Sequence, residues 1–121
     1  MKGKTIITVL LLSTLQLVSG QEKMSPEDMS VYQNELMTSE LQLSEEQQEK
    51  VADINLKYAK LFSELKAKPG SMFSKMGDFK KTGKEKNKEL EAVLTESQME
   101  KYLDDIEPKI KKHMRKNMKS K

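Results

Sequence analysis

Between positions 51 and 65 the apolar residues Val51, Ile54, Tyr58, Leu61 and Leu65 recur at alternating steps of three and four. That spacing lays one apolar stripe along an α-helix. Just ahead of it, Ser44-Glu45-Glu46-Gln47 reads as a capping box: the hydroxyl accepts from the Gln47 backbone N–H, and the Gln47 side chain reaches back to the N–H of the cap. The pattern predicts a helix from Ser44 to Ala67, a rod of roughly 36 Å at 1.5 Å per residue. Lys68-Pro69-Gly70-Ser71 stops it, because proline and glycine suit the two central positions of a turn.

A second box, Thr95-Glu96-Ser97-Gln98, opens another helix, with Leu94 and Met99 at the spacing of a hydrophobic staple. Its expected stripe is Met99, Leu103, Ile106 and Ile110. Pro108 should kink or end it, since proline lacks the N–H that bonds four residues back. Upstream, Ser25-Pro26-Glu27-Asp28 supplies an N-cap, a proline in the first helical position and two acids at the positive end of the helix dipole. This predicts a first helix over Pro26 to Ser39 with Met29, Tyr32, Leu36 and Met37 as its stripe. A third is expected from Asp78 to Val93, with Phe79, Gly83, Leu90 and Val93 inward and the lysine-rich Lys80 to Lys88 stretch solvated. The intervening loop carries Met72, Phe73 and Met76, which either cover the end of the apolar seam, the favoured expectation, or form an exposed adhesive spot. The second and fourth helices are expected to form the main seam.

No segment alternates apolar and polar residues over a strand length, so the fold class is all-α, an elongated helical hairpin or four-helix protein. Met1 to Gly20 has Lys2 and Lys4, an apolar run from Ile6 and the small residues Ser19 and Gly20, the three parts of a cleavable signal peptide. The expected organisation is a signal over 1–20, a helical domain over 21–107 and a basic tail over 108–121, in a periplasmic protein with no stable membrane insertion after cleavage.

Charge sharpens this picture. Removing 1–20 takes two lysines and no acid, leaving 20 basic against 19 acidic residues. The near-neutral sum hides a gradient: Glu22 to Asp53 has nine acids and two lysines, whereas Lys109 to Lys121 has seven basic residues and no acid. Such a tail suits acidic partners, but it lacks the stacking aromatics of a single-strand binder, and nucleic acid is not expected. The absence of cysteine excludes disulfides, thiolate metal sites and cysteine nucleophiles, and one histidine excludes a multi-histidine centre within one chain. With no glycine-rich nucleotide loop and no carboxylate dyad (Asp104 and Asp105 point apart on a helix), the chain reads as a binding protein, not an enzyme, without cofactor.

The two boxes align as Leu43-Ser44-Glu45-Glu46-Gln47 and Leu94-Thr95-Glu96-Ser97-Gln98, 51 residues apart, each followed by a lysine, Lys50 and Lys101. In a small, cysteine-free, methionine-rich helical chain this pair resembles the LTxxQ-motif proteins of the bacterial periplasm, the Spy/CpxP family. The motif residues are Leu43, Ser44, Gln47, Leu94, Thr95 and Gln98; the first copy departs by serine for threonine. The likeness spans Leu41 to Tyr102. It implies an antiparallel homodimer and either an ATP-independent chaperone of unfolded envelope proteins, or a module that restrains a sensor or binds metal.

A holdase needs flexible, polarizable apolar groups among charges, so that many sequences bind weakly. Met72, Phe73, Met114 and Met118, in the loop and tail, are the candidates for client contact. The alternative is a regulatory module docking on a periplasmic sensor domain. A copper site at His113, Met114 and Met118 is weighed against by the surrounding lysines, and no metal ligand is assigned.

Overall fold

The computed structural model describes residues 24–119, with side chains to 116; the expected signal peptide lies outside the described residues. Helix α1 runs over Pro26–Leu41, α2 over Glu45–Ala67 and α3 over Met72–Val93. The last helix starts as α4 (Glu96–Lys101), passes through a π-helical stretch at Tyr102–Ile106 and continues as α5 (Glu107–Lys119). No strand occurs among the described residues, and the chain is all-α.

Each helix start is chemically marked. Ser25, Ser44 and Thr95 all form complete capping boxes, with Asp28, Gln47 and Gln98 as reciprocal partners. Ser71 adds a cap of its own, accepting from the Ser74 N–H at 3.1 Å. That cap starts α3 at Met72, six residues before the expected Asp78, so Met72, Phe73 and Met76 belong to a helix and not to a loop. They do not cover the seam either: Phe73 is 81% exposed, Met76 51% and Met72 45%. Between α2 and α3 the turn holds Gly70 at φ 111°, where a Cβ would also lie 3.0 Å from the Ser74 hydroxyl. Only glycine fits there without strain.

The core gathers Met37, Leu41, Leu43, Val51, Ile54, Tyr58, Leu90, Leu94, Met99, Tyr102, Ile106 and Ile110. Helix α2 lies between α1 and α3, while the π-helical stretch of the last helix packs on α1. The main seam therefore joins α2 to its two sequence neighbours rather than to α4. Short connections favour this antiparallel arrangement. Beyond Tyr58 the α2 stripe loses its cover, with Leu65 half-buried and Leu61 exposed. In α1 the buried side is Ser30, Gln33, Met37 and Leu41, while Met29, Tyr32 and Leu36 sit at its margin. Gly83 makes no close approach, for a Cβ there would meet nothing within 4 Å.

Pro108 neither ends nor breaks the last helix. The Glu107 N–H bonds to the carbonyl of Tyr102, five residues back. This wider turn immediately precedes the proline, at the carbonyls its ring would otherwise crowd, and lets the helix continue. Tyr102 is 2% exposed and takes the inward place expected of Leu103, which is 41% exposed. The inward series becomes Met99, Tyr102, Ile106 and Ile110.

Candidate functional site

The two motifs meet. The Gln47 side-chain amide donates to Gln98 Oε1 at 2.7 Å and to the Val93 carbonyl at 3.1 Å. Gln98 answers by donating to Gln47 Oε1 at 3.3 Å and to the Leu41 carbonyl at 3.1 Å. Each Oε1 also accepts from its own cap N–H, Ser44 at 3.1 Å and Thr95 at 2.9 Å. Every donor and acceptor of both amides is thus used. Val93 and Leu41 are the last residues of α3 and α1, so each glutamine starts its own helix and satisfies the end of the helix that leads into the other motif. Leu43 and Leu94 are buried below this junction, while Ser44 and Thr95 lie at the surface. The six motif residues therefore form one structural fastening. Their chemistry is satisfied internally and leaves no group directed at a ligand.

Around the junction the surface is acidic. Residues 40–53 carry five acids and one lysine, and 89–107 carry seven acids and one lysine. An open hollow there is lined by Glu91, Glu96 and Glu100 with Leu94, Thr95, Ser97 and Met99.

At the other end of the α2–α3 hairpin the character reverses. Met72, Phe73 and Met76 project from the first turn and a half of α3. Phe79 turns inward to stack on Phe62 of α2, ring centroids 5.9 Å apart. Lys75 is buried, and its Nζ donates to the carbonyls of Lys66 and Lys68 at 3.0 and 2.7 Å, capping the C-terminal end of α2 with a charge of the favourable sign. Lys66, Lys68, Lys80 and Lys81 stand exposed around this apex.

The remaining candidates lie apart from the apex. Met114 is half-buried and packs against the core on α5. The adjacent His113 ring stacks on Tyr32 with centroids 3.9 Å apart. The side chain of Met118 lies outside the described residues. Met72 and Phe73 are thus brought together, and Met114 is separated from them. Among the described residues no three acidic or histidine side chains converge as a metal site would require.

The periodicity did not reveal two polar clusters. Lys86, in the stretch expected to be solvated, is 6% exposed and donates to Gln33 Oε1 at 2.8 Å. Burial pushes its ammonium down to about 8, with Glu107 opposing the shift. On the α2–α3 face, Glu89 accepts from Lys57 at 2.7 Å and from the Tyr58 hydroxyl at 2.6 Å. These bonds hold the Glu89 carboxyl below its ordinary value, while burial and the Glu89 contact push Tyr58 up to about 12. The nearest sequence signal for Lys86 was its place four residues before the buried Leu90.

These features define a class: a small all-α protein whose repeated helix starts interlock and whose distal hairpin end displays methionine and phenylalanine among lysines. Residues 16–102 match the family described as a domain of unknown function, DUF4890, and the chain belongs to that family. No curated protein and no solved structure matches it.

Proposed function

We propose that the protein is an exported, non-enzymatic chaperone of the holdase type, binding non-native envelope proteins without nucleotide in the manner of the Spy/CpxP proteins that its two motifs resemble. The observation that carries this reading is the distribution of exposed apolar side chains. Val31, Leu61, Met72, Phe73, Met76 and Leu103 stay outside the core on four different stretches of a highly charged helical rod. Separate adaptable contacts among charges hold many sequences weakly, whereas a single enclosed pocket selects one ligand. Met72 and Phe73 are the strongest contact residues, and Met76 joins them. Val31 and Leu103 offer area against which a second copy would pair as a homodimer.

Light scattering of a denatured client diluted into the purified protein tests the proposal. Suppression of aggregation for several unrelated clients is the expected result. No suppression, together with one-to-one binding to a single envelope protein, would replace it with the regulatory module. The segregated acidic surface around the motif junction favours that second reading, because it offers one defined charged face to one partner.

A further inference from the structure

The molecule is polarised along its long axis, and the apolar apex stands at the basic pole. Asn55 of α2 donates to Asn34 of α1 at 2.8 Å. Counting away from that contact in antiparallel register sets Pro26 beside residue 63. The last turn of α2 and the first of α3 therefore project past the start of α1. The Tyr32–His113 stack brings α5 back along α1 in the same direction, so the C-terminal end of α5 approaches that pole too. Residues 64–84 carry six lysines and two acids, and 111–119 carry five basic residues and no acid, against Glu27 and Asp28 at the start of α1; Lys109 pairs with Glu40 and belongs to the other half of the rod. The acid-rich segments 40–49 and 91–105 lie toward the opposite pole, around the Gln47–Gln98 junction.

We propose that this pole is a foot that docks end-on on anionic lipid bilayers, with Met72, Phe73 and Met76 entering the interfacial layer and the surrounding lysines meeting lipid phosphates. Three features select a bilayer over other anionic partners. The apolar groups crown one exposed helical turn, which a flat and deformable surface can receive together. The lysines Lys66, Lys68, Lys80 and Lys81 ring that crown with long apolar stems, able to lie along the acyl boundary while their ammonium groups remain among headgroups. The axial charge gradient turns the basic pole toward a negative surface and the acidic pole away from it before contact is made. A nucleic acid would instead need several stacking rings, and Phe73 is the one aromatic side chain exposed at the apex.

This inference goes beyond the holdase reading and does not depend on it. If both hold, anionic vesicles compete with clients for the apex.

The chain has no tryptophan, so Phe73→Trp in the full-length protein gives an emission that reports position 73 alone. Vesicles of equal parts phosphatidylglycerol and phosphatidylcholine are compared with pure phosphatidylcholine, with circular dichroism confirming the helical fold of each variant. Membrane affinity elsewhere in the chain, the apolar 6–18 segment included, does not bury this reporter. The expected result is a blue shift on the anionic vesicles only, with quenching by lipids brominated near the headgroup and reversal at about 0.5 M salt. Adding Lys66→Gln, Lys68→Gln, Lys80→Gln and Lys81→Gln should weaken the partitioning by roughly tenfold or more. An unchanged emission, or an equal shift on neutral vesicles, overturns the proposal. A shift with an unfolded model protein but none with vesicles overturns it as well, and assigns the apex to protein clients.

Discussion

The side-chain amides of Gln47 and Gln98, 51 residues apart in sequence, face each other at 2.7 Å and complete each other's hydrogen bonding. This explains why glutamine stands where a capping box would accept glutamate equally well. A glutamate at 98 would still accept from the Thr95 N–H, but it would give nothing to the Leu41 carbonyl or to Gln47. Gln98→Glu should therefore cost about 2 kcal/mol in urea denaturation. Part of that loss should return under acid conditions, where a protonated carboxyl recovers one donor. Thr95→Ala, which removes only the cap, should cost about 1 kcal/mol. No loss for Gln98→Glu would mean that the junction adds nothing to the cap.

Burial of Lys86 sets a pH dependence. Its value falls from 10.5 to about 8, so between those limits the native state binds fewer protons than the unfolded chain. Stability should then rise as pH rises from 8. Tyr58 and Tyr102 are both raised above the ordinary 10.0, and they reverse the trend above pH 10, so the rise is read from pH 8 to 9.5. Over the whole interval the lysine accounts for roughly 3 kcal/mol at most. Denaturation curves for Lys86→Met should lose this slope; a slope that persists would assign it to another group.

Much of the fold was legible because helix starts are local chemistry. Ser25, Ser44 and Thr95 each announce themselves within four residues, and the structure places all three caps there. The polar interior was not legible. Lys86 occurs in a stretch that read as solvated and Gln33 stood outside the expected stripe of the first helix, and only their meeting 53 residues apart in sequence makes burial tolerable. The same holds for the exchange between Gln47 and Gln98: the repeat marked both residues, but not their contact. Spacing alone left the choice between Leu103 and Tyr102 open, since 99, 102, 106 and 110 fit a helical stripe as well as 99, 103, 106 and 110 do, and the π turn itself has no such signal. At the apex, Ser71 was a cap hidden within a turn-like sequence, and the helix it starts carries Met72 and Phe73 outward.

Gln42 ends α1 with φ 54°, a left-handed conformation that costs any residue with a Cβ. Gln42→Gly should raise stability by about 1 kcal/mol, seen as a higher denaturation midpoint with unchanged slope. A lower midpoint would show that the Gln42 side chain contributes more than its backbone geometry costs.

Met72 and Met114 should respond differently to serine. Met72 is exposed at the hairpin end, so Met72→Ser should leave the thermal midpoint nearly unchanged while reducing client binding. Met114 packs against the core, and Met114→Ser should lower the midpoint, with a loss of about 1 to 2 kcal/mol. A fall in client binding for Met114→Ser at unchanged midpoint would move that residue to the contact surface.

The long sequence separation between Gln33 and Lys86, and between Gln47 and Gln98, has a consequence for biogenesis. A polypeptide made from its amino terminus displays the first hairpin well before either late partner exists. Until residue 98 emerges, the nascent α1–α2 pair must keep its own polar seam wet, and it cannot settle. A ribosome-stalled chain ending before 86 should accordingly remain protease-sensitive, with protection arriving in one late step once the second half is released.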